Sequence, residues 1–429
     1  MIEKAKTYFL VFLVAASLLQ SYVLIGNVRD FEIASPQTEY VEAELTGTQL
    51  ELQDLVYPTQ MVLHFGDAKH TVLNPNTVFY EIILEKLQQR NFDSFARLSE
   101  QSFTWNELRD SYQGVEIRYK DGISIEILQR QMLLKGEEAA AMEPINRIWM
   151  LNRPGQETVR TLFISDSTGT VYEAKKVDLT PKDVEGFVGL GTYLTKYGTE
   201  DGVTYLAEEP LPMVGFRYAY EEMTQEQLQQ SLFADPATTR SLMERDGSLI
   251  ITDGKRGLQM KPGQKWMAFT DPAASYEQNS TIRENMLASV QFVNQHGGWN
   301  GKYIAYRLPQ RAAIGAQVFV FRQYAGTYPG AFPIISERSE FFGYIRVTVQ
   351  NGVVTDYERS LIRLKDELEK SEHMLPGGEE LREMVQRYRN RNTIVTVFPA
   401  YRPIVTEDYV ELRPGWAVEL FNGTYDFLS

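Results

Sequence analysis

An uncharged, apolar stretch near the first residue constrains this chain more than any other feature of its sequence. It reads TYFLVFLVAASLLQSYVLIG, residues 7–26, and eleven of these residues are Leu, Ile, Val or Phe. Twenty helical residues extend about 30 Å, the thickness of the hydrocarbon layer of a bilayer. Lys4 and Lys6 precede the stretch, and Arg29 is the only basic residue shortly after it. Because basic residues stay in the cytoplasm, we predict one transmembrane helix with residues 27–429 outside the cell.

Two other interpretations of this stretch are less favoured. A secretory signal peptide would be cut near Ala15-Ala16-Ser17, which would leave only a short apolar core. The apolar run instead continues from Leu18 to Ile25, where a signal peptide should become polar. A buried helix of a soluble protein would be apolar on one side only, whereas this stretch is apolar nearly all round. We therefore predict a retained anchor.

Three polar residues of the predicted span share one helix face. Ser17, Gln20 and Ser21 are spaced i, i+3 and i+4. An amide as deep as that of Gln20 costs several kcal/mol if it is unpaired, and a hydrogen bond to a second helix recovers about 0.6–2 kcal/mol. We predict that these three residues contact the helix of a partner. Simple tolerance of polar groups near the interface, or pairing with a copy of the same helix, are the alternatives.

Composition excludes several classes of function. The 429 residues carry a formal net charge of −14 and a pI near 5.0, which argues against a nucleic-acid partner. The chain has no cysteine, so disulfides, thiolate metal sites and thiol nucleophiles are excluded. Its length is enough for two to four domains that each bury a core.

The outside portion is predicted to be α+β with mainly antiparallel sheets, because strand-like runs outnumber helices and are joined by tight turns. "FRYAY" and "FRQYA" each end an apolar strand, which suggests that the last two domains are similar to each other. The predicted segments are a cytoplasmic tail (1–6), the transmembrane helix (7–26), an acidic tether with an N-terminal α+β domain (27–175), a central α+β domain (176–275) and a C-terminal α+β domain (276–429).

Local signals predict individual elements. Gly66-Asp67 and Asn351-Gly352 are each expected to turn a hairpin, and Asn76 or Thr77 is expected to cap a helix. A helix from about Ile282 should end at Gly297-Gly298. "GISIEIL" is expected to be a strand, and the acidic "KDELEKSEH", which ends at His373, a helix.

The histidines show no catalytic or metal-binding spacing. His64 and His70 flank one predicted turn and could approach each other, but two imidazoles without a third ligand make a poor metal site. We predict solvated turn histidines there. The chain has no H-E-x-x-H, no phosphate loop and no G-x-S-x-G, so no catalytic residue, metal or cofactor is predicted.

His296-Gly297-Gly298-Trp299 is the most distinctive local cluster. Glycines that end a helix, followed by a packed tryptophan, explain it without chemistry. The competing hypothesis is a wall-associated enzyme or ligand-binding module, whose site would be marked by His296, Trp299 and Trp416.

Several longer motifs resemble one known family. They are "YPTQMVLHF", "FVNQHGGWNGKYIAYRLP", "FRQYAGTYPGAFPI" and "LPGGEELREMV…VFPAYRP". Together with a short inside tail, one span and a long outside portion, they resemble the YycH family of regulatory proteins over essentially the whole chain.

This resemblance implies both a fold and partners. Members have a three-domain extracytoplasmic region whose last two domains are alike and similar to the partner protein YycI. They contact the sensor histidine kinase WalK (YycG) in the membrane of low-GC Gram-positive bacteria. They thereby tune signalling to the response regulator WalR (YycF), which controls cell-wall metabolism. The resemblance supplies no catalytic residue. We also expect an exposed apolar patch for such a partner, which should not itself be strongly acidic.

Overall fold

The computed structural model describes residues 6, 17, 47–99, 103–261, 263, 265–272, 280–309, 315–326, 330–336 and 342–429. The chain divides into two compact units, Met1–Tyr40 and Val41–Ser429. In Met1–Tyr40 the structure describes only Lys6 and Ser17, both in helical conformation. The rest of the predicted span at residues 7–26 lies outside the described residues. Within the described part of the chain, no helix is long and apolar enough to cross a membrane.

The first sheet takes its strands from the first half of the chain. They are β1 (Gln60–Gly66), β2 (Lys69–Leu73), β3 (Asn91–Ser99), β4 (Gln113–Ile123), β5 (Leu133–Leu134), β6 (Ile145–Asn152), β7 (Arg160–Ser165), β8 (Thr170–Val177), β9 (Lys196–Gly198) and β10 (Leu206–Ala207). Their order is β10-β9-β2-β1-β4-β6-β7-β8-β3-β5. Neighbours are antiparallel except β3 and β5, which are parallel. The helices of this region are α1 (Val78–Gln88), α2 (Trp105–Ser111), α3 (Ile125–Leu128) and α4 (Pro181–Leu190).

The start of this sheet confirms two predictions. β1 and β2 form an antiparallel hairpin that places His64 opposite His70. Its turn contains Asp67 with φ 52°, a left-handed conformation that Asp tolerates better than most residues. The side chain of Thr77 accepts a hydrogen bond from the Tyr80 N–H and so caps α1.

The second sheet lies between residues 240 and 360. The chain first forms β11 (Leu211–Glu222), which belongs to the third sheet. The second sheet then contains β12 (Arg240–Met243), β13 (Leu249–Thr252), β14 (Gly257–Lys261), β15 (Trp266–Thr270), β16 (Lys302–Arg307), β17 (Gln317–Ala325), β18 (Phe332–Pro333), β19 (Tyr344–Gln350) and β20 (Val353–Ser360). Their order is β12-β13-β14-β15-β20-β19-β17-β16, with β18 beside β17. The helices are α5 (Gln225–Leu232) and α6 (Ile282–Gln295), and α6 packs on β17, β19 and β20.

The third sheet combines β11 with the end of the chain. Its other strands are β21 (Ile362–Leu375), β22 (Ile394–Val405), β23 (Val410–Leu420) and β24 (Tyr425–Phe427), and α7 is Gly378–Arg387. The order is β21-β11-β23-β22, and β24 pairs with β23. Single 3-10 turns occur at Leu52–Asp54, Glu137–Ala141, Pro236–Thr238 and Arg391–Thr393.

The sheets cross the domain boundaries that the sequence suggested. The boundary at 175/176 falls inside β8. The boundary at 275/276 falls within the second sheet, because β15 on one side pairs with β20 on the other. "FRYAY" lies on β11 and "FRQYA" on β17, in different sheets. The proposed similarity of the last two domains remains a prediction.

Two predictions of local structure were wrong. "KDELEKSEH" is part of β21 and not a helix, because this segment pairs along its length with β11 and that tertiary pairing outweighs the helix propensity of Glu and Lys. In "GISIEIL", β4 ends at Ile123 and residues Ile125–Leu128 form the short helix α3. The buried face of α3 carries Ile125, Ile127 and Leu128, so an apolar pattern of this length fits a helical turn as well as a strand.

One carboxylate joins the three sheets. Glu419 on β23 forms ion pairs with Lys120 of β4 and with Arg307 of β16, the latter at 3.0 Å. Arg307 also lies 3.7 Å from Asp121 of β4. Glu419 is 5% exposed, so its carboxylate is shielded from solvent, whereas the Arg307 side chain is 37% exposed. The relative placement of the sheets therefore depends partly on this one side chain.

Candidate functional site

The first described residues after the tether dock on the glycine-rich end of α6. The backbones of Thr48 and Trp299 exchange both of their hydrogen bonds, each at 2.9 Å. A Cβ on Gly47 would lie only 2.6 Å from the Gly298 carbonyl carbon, so the two backbones are in direct contact. This short segment, Gly47–Leu50, is therefore held like an extra strand, and we call it the docked segment.

Asn294, on the last turn of α6, secures the other end of the docked segment. Its side-chain oxygen accepts a hydrogen bond from the Leu50 N–H at 3.1 Å, and its amide donates to the Leu50 carbonyl at 2.9 Å. The same oxygen accepts from the Trp299 indole N–H at 2.8 Å. One amide side chain thus connects the helix, the tryptophan and the docked segment.

A buried arginine stabilises the backbone at the C-terminal end of α6. Arg359 is 1% exposed and donates to the Gly298 carbonyl and to the Tyr357 hydroxyl, both at 2.9 Å. The Tyr357 hydroxyl donates in turn to the carbonyl of His296 at 3.2 Å. Because these carbonyls follow the negative end of the α6 dipole, the guanidinium stabilises the helix terminus.

The prediction for this cluster, capping glycines and a packed tryptophan, is confirmed. Gly297 and Gly298 have φ of 104° and 65°, and Trp299 is buried against Tyr303 and Phe321. What the sequence did not reveal is the docked segment, which pairs with Trp299 across 251 positions of the chain.

The proposed markers of an enzyme or ligand-binding site are not accessible. His296, Trp299 and Trp416 are each 1% exposed, so none of these rings presents a face to solvent. Burial lowers the pKa of His296 to about 4, against a smaller rise from its contact with Ser231, so the ring is neutral at neutral pH. Trp416 belongs to the third sheet and donates its indole N–H to the Pro376 carbonyl at 2.8 Å. These residues serve packing and capping.

A second polar cluster lies inside the first sheet. His64 and His70 are 0% and 2% exposed, so the expectation of solvated turn histidines was wrong. They do approach each other as the hairpin allows, with their Nδ1 atoms 3.1 Å apart. In the described part of the chain, no group of three or more His, Asp or Glu side chains could hold a metal. At most one proton fits between the two Nδ1 atoms, so one ring donates and the other accepts.

Glu116 on β4 balances the charge of this cluster. Its carboxylate lies 3.3 Å from His64 Nε2 and 3.0 Å from Arg118 Nε, with Arg147 at 4.0 Å. Burial alone would raise the pKa of Glu116, but the guanidinium of Arg118, the neighbouring His64 and then Arg147 together lower it. The carboxylate is therefore ionised although it is fully buried.

The two histidines stay neutral for related reasons. Burial lowers the pKa of His64, and the nearby Glu116 only partly offsets this. Burial, followed by the charges of His64 and Arg109, lowers the pKa of His70 to about 3. Neither imidazole is placed to titrate near neutral pH, and the arrangement is a static hydrogen-bonded core.

This core also holds the loop between β9 and β10. Arg118 donates to the carbonyls of Gly202 and Val203 at 2.7 and 2.8 Å. Its guanidinium also stacks over Tyr205, 4.6 Å from the ring centroid. The cluster therefore fixes the loop that joins these two strands at one edge of the first sheet.

The predicted partner-binding face of the span is only partly described. Ser17 is helical and exposed, whereas Gln20 and Ser21 lie outside the described residues. The face formed by Ser17, Gln20 and Ser21 therefore stays a prediction.

Comparisons with known proteins agree with the motifs. The model of the YycH protein N-terminal domain matches residues 3–187, and that of the YycH protein C-terminal domain matches residues 202–427. The two-component system WalR/WalK regulatory protein YycH of Bacillus subtilis (strain 168) is 21% identical over 97% of this chain and 94% of that protein.

A solved structure shows the same fold. The crystal structure of YycH from Bacillus subtilis matches with a TM-score of 0.71 and 18% identity, over 90% of this chain and 99% of that one. The two family models together span most of the sequence, and the mainly antiparallel α+β architecture agrees with that structure. This chain belongs to the YycH family.

Proposed function

We propose that this protein is a membrane-anchored regulator that binds a WalK-like sensor histidine kinase, together with a YycI-like protein, and so modulates two-component control of cell-wall metabolism. Membership of the YycH family implies regulation of the WalR/WalK system. The observation that carries the proposal is similarity to a WalR/WalK regulatory protein along 97% of the chain.

The anchor is the first part of the proposal. Residues 7–26 form a single-pass helix whose N-terminus is cytoplasmic and whose C-terminal region is extracytoplasmic. Its support is the length of the uncharged run and the position of Lys4 and Lys6 before it. A retained span keeps the protein in the same membrane as a sensor kinase.

The second part concerns the contact itself. Ser17, Gln20 and Ser21 bind a transmembrane helix of the kinase through one polar face. One interhelical hydrogen bond contributes about 1–2 kcal/mol, which is too weak to hold a complex by itself. It is enough to bias a helix bundle by a factor of roughly 5–30 between two arrangements.

The docked segment supports a direct link between anchor and ectodomain. It is joined by hydrogen bonds and backbone packing to the C-terminal part of α6. Trp299 and Asn294 therefore connect the second sheet to the first described residues after the tether. We infer that the protein works by binding and not by catalysis, in keeping with the buried, structural roles of His296, His64 and His70.

Co-purification from membranes tests this function. The full chain, tagged after Ser429, should retain the WalK-like kinase from solubilised membranes. A chain in which residues 7–26 are replaced by an unrelated span should retain much less of it. Recovery of equal kinase with both chains would assign binding to the ectodomain, and recovery with neither would contradict the proposed function.

A further inference from the structure

We propose that β12 is a self-pairing edge through which two copies of this protein join their second sheets. The proposal rests on three observations about residues 240–244: an open edge with a regular register, exposed apolar side chains, and charges that complement each other when the strand meets a copy of itself. It also rests on the proposed function, because anchoring in one membrane raises the local concentration of the two copies.

The strand is an open edge of the second sheet. β12 is the terminal strand of that sheet, and all four of its residues are exposed. The Glu244 N–H donates to the Ser248 carbonyl at 2.8 Å. Hydrogen bonds to β13 therefore fall on the even-numbered residues, and the backbone groups of Ser241 and Met243 point to the free edge.

The centre of the edge is regular and apolar. Exposed edges are normally blunted by charges, bulges or proline, because their unpaired backbone groups invite another strand. β21, an edge of the third sheet, has that protection: its register against β11 shifts twice, and most of Lys365–Glu372 is charged. β12 is only four residues long and begins with Arg240, but its register is regular, and Leu242 and Met243 are 61% and 79% exposed.

The sequence of β12 is complementary to itself in one antiparallel register. Centred on Leu242, the pairing places Leu242 opposite its copy and Ser241 opposite Met243. Arg240 of each chain then faces Glu244 of the other. Within the described part of the chain, neither Arg240 nor Glu244 has an ion-pair partner, so both are available for this contact.

The same register also pairs the free backbone hydrogen-bonding groups of the edge. Ser241 and Met243, whose backbone groups point outward, become a hydrogen-bonded pair, and Leu242 with its copy becomes a non-hydrogen-bonded pair with Cα atoms about 4.5 Å apart. In a register displaced by one residue, backbone groups that point to the free edge in one copy would face backbone groups that point towards β13 in the other. The interface is short, so it depends on confinement at the membrane, where effective concentration strengthens a weak contact.

Cysteine cross-linking in this cysteine-free chain tests the register. In membranes of cells that produce the full chain, Leu242→Cys should give a disulfide-linked dimer under mild oxidation, since Cα atoms about 4.5 Å apart suit a disulfide. Met243→Cys is the matched control: it is also exposed, but its copy would lie more than about 7 Å away and should cross-link much less.

Charge reversal tests the recognition. On the Leu242→Cys background, Arg240→Glu should lower the cross-linked fraction roughly fivefold, because like charges then face each other. Adding Glu244→Arg to that chain should restore the yield. The pairing would be overturned if the two cysteine variants cross-linked equally or if neither cross-linked. It would also be overturned if charge reversal left the cross-linked fraction unchanged. If the chain were absent from the membrane fraction, the proposed anchor would be contradicted instead. The ratio of the cross-linked fractions of the Leu242→Cys and Met243→Cys variants would still report on the pairing.

Discussion

Gly47 and Gly298 lie backbone against backbone, so closely that a Cβ on either residue would come within 2.6 to 2.8 Å of the other's backbone. This contact brings the residues just after the tether to the C-terminal end of α6, 251 positions away in the chain. The "HGGW" motif therefore has a second role besides ending the helix. It provides the surface on which the segment leading to the predicted anchor is held.

Substitution of Gly47 should release the docked segment without disturbing the core. Gly47→Ala forces a Cβ into the Gly298 backbone, which cannot move because Arg359 holds it. We expect faster protease cleavage near residues 47–50 and a loss of about 1–2 kcal/mol in the free energy of unfolding. Gly257→Ala is the control, since a Cβ there meets nothing within 4 Å. Equal cleavage of both variants would mean that the contact does not hold the segment.

Acid should destabilise the fold through the buried histidines. The pKa of His70 is lowered to about 3, so between pH 6.5 and 3 the unfolded chain binds a proton that the folded chain does not. Stability therefore falls as pH drops through this window. Glu116, whose pKa is also lowered, adds a loss of the same sign at lower pH, below the pKa of an unfolded Glu.

The measurement is the urea midpoint at pH 7 and at pH 4.5 for the natural chain and for His70→Asn. Between pH 7 and pH 4.5 the free energy of unfolding of the natural chain should fall by up to about 2 kcal/mol more than that of the variant. Identical pH dependence of the two chains would show that His70 is protonated in the folded state.

Removing the charge of Glu419 should weaken the junction of the three sheets. Glu419→Gln leaves Lys120 without its carboxylate partner in a largely buried setting and leaves Arg307 with Asp121 alone, at an expected cost of about 1–3 kcal/mol. Adding Lys120→Met should recover part of that loss, because one unpaired cation is then gone. Chemical denaturation of the natural chain, the single variant and the double variant gives their free energies of unfolding. A double variant less stable than the single variant would argue against charge pairing as the cause.

The polar face of the predicted span should matter for signalling and not for insertion. Gln20→Leu removes an amide from the bilayer, so we expect equal or better membrane insertion together with altered kinase output. Phe12→Leu, an apolar exchange in the same span, is the control and should signal normally. Replacing the whole of residues 7–26 by polyleucine should act like Gln20→Leu, but more strongly. Normal regulation by both chains would make the helix a simple anchor.

Local chemistry made much of the fold predictable from the sequence. The Gly66-Asp67 and Asn351-Gly352 turns, the Thr77 cap and the end of α6 just before Gly297 each depend on a few neighbouring residues, and each was predicted. The strand around His373 was not, because its conformation is decided by pairing with β11, about 150 positions away.

Burial and distant contacts were the part that sequence could not provide. His64 and His70 were expected in solvent because they flank a turn, whereas Glu116 and Arg118 from β4 enclose them. The position of the docked segment could not be predicted from the sequence for the same reason. Gly47 carries no side chain to suggest a partner, and its contact exists only after the chain has folded.

The level of phosphorylated response regulator in living cells tests the central claim most directly. Cells that lack this protein should show a changed ratio of phosphorylated to unphosphorylated WalR-like regulator. The full chain, supplied in trans, should restore the original ratio, and a chain without residues 7–26 should not. The same ratio in cells with and without the protein would contradict its role as a regulator of the kinase.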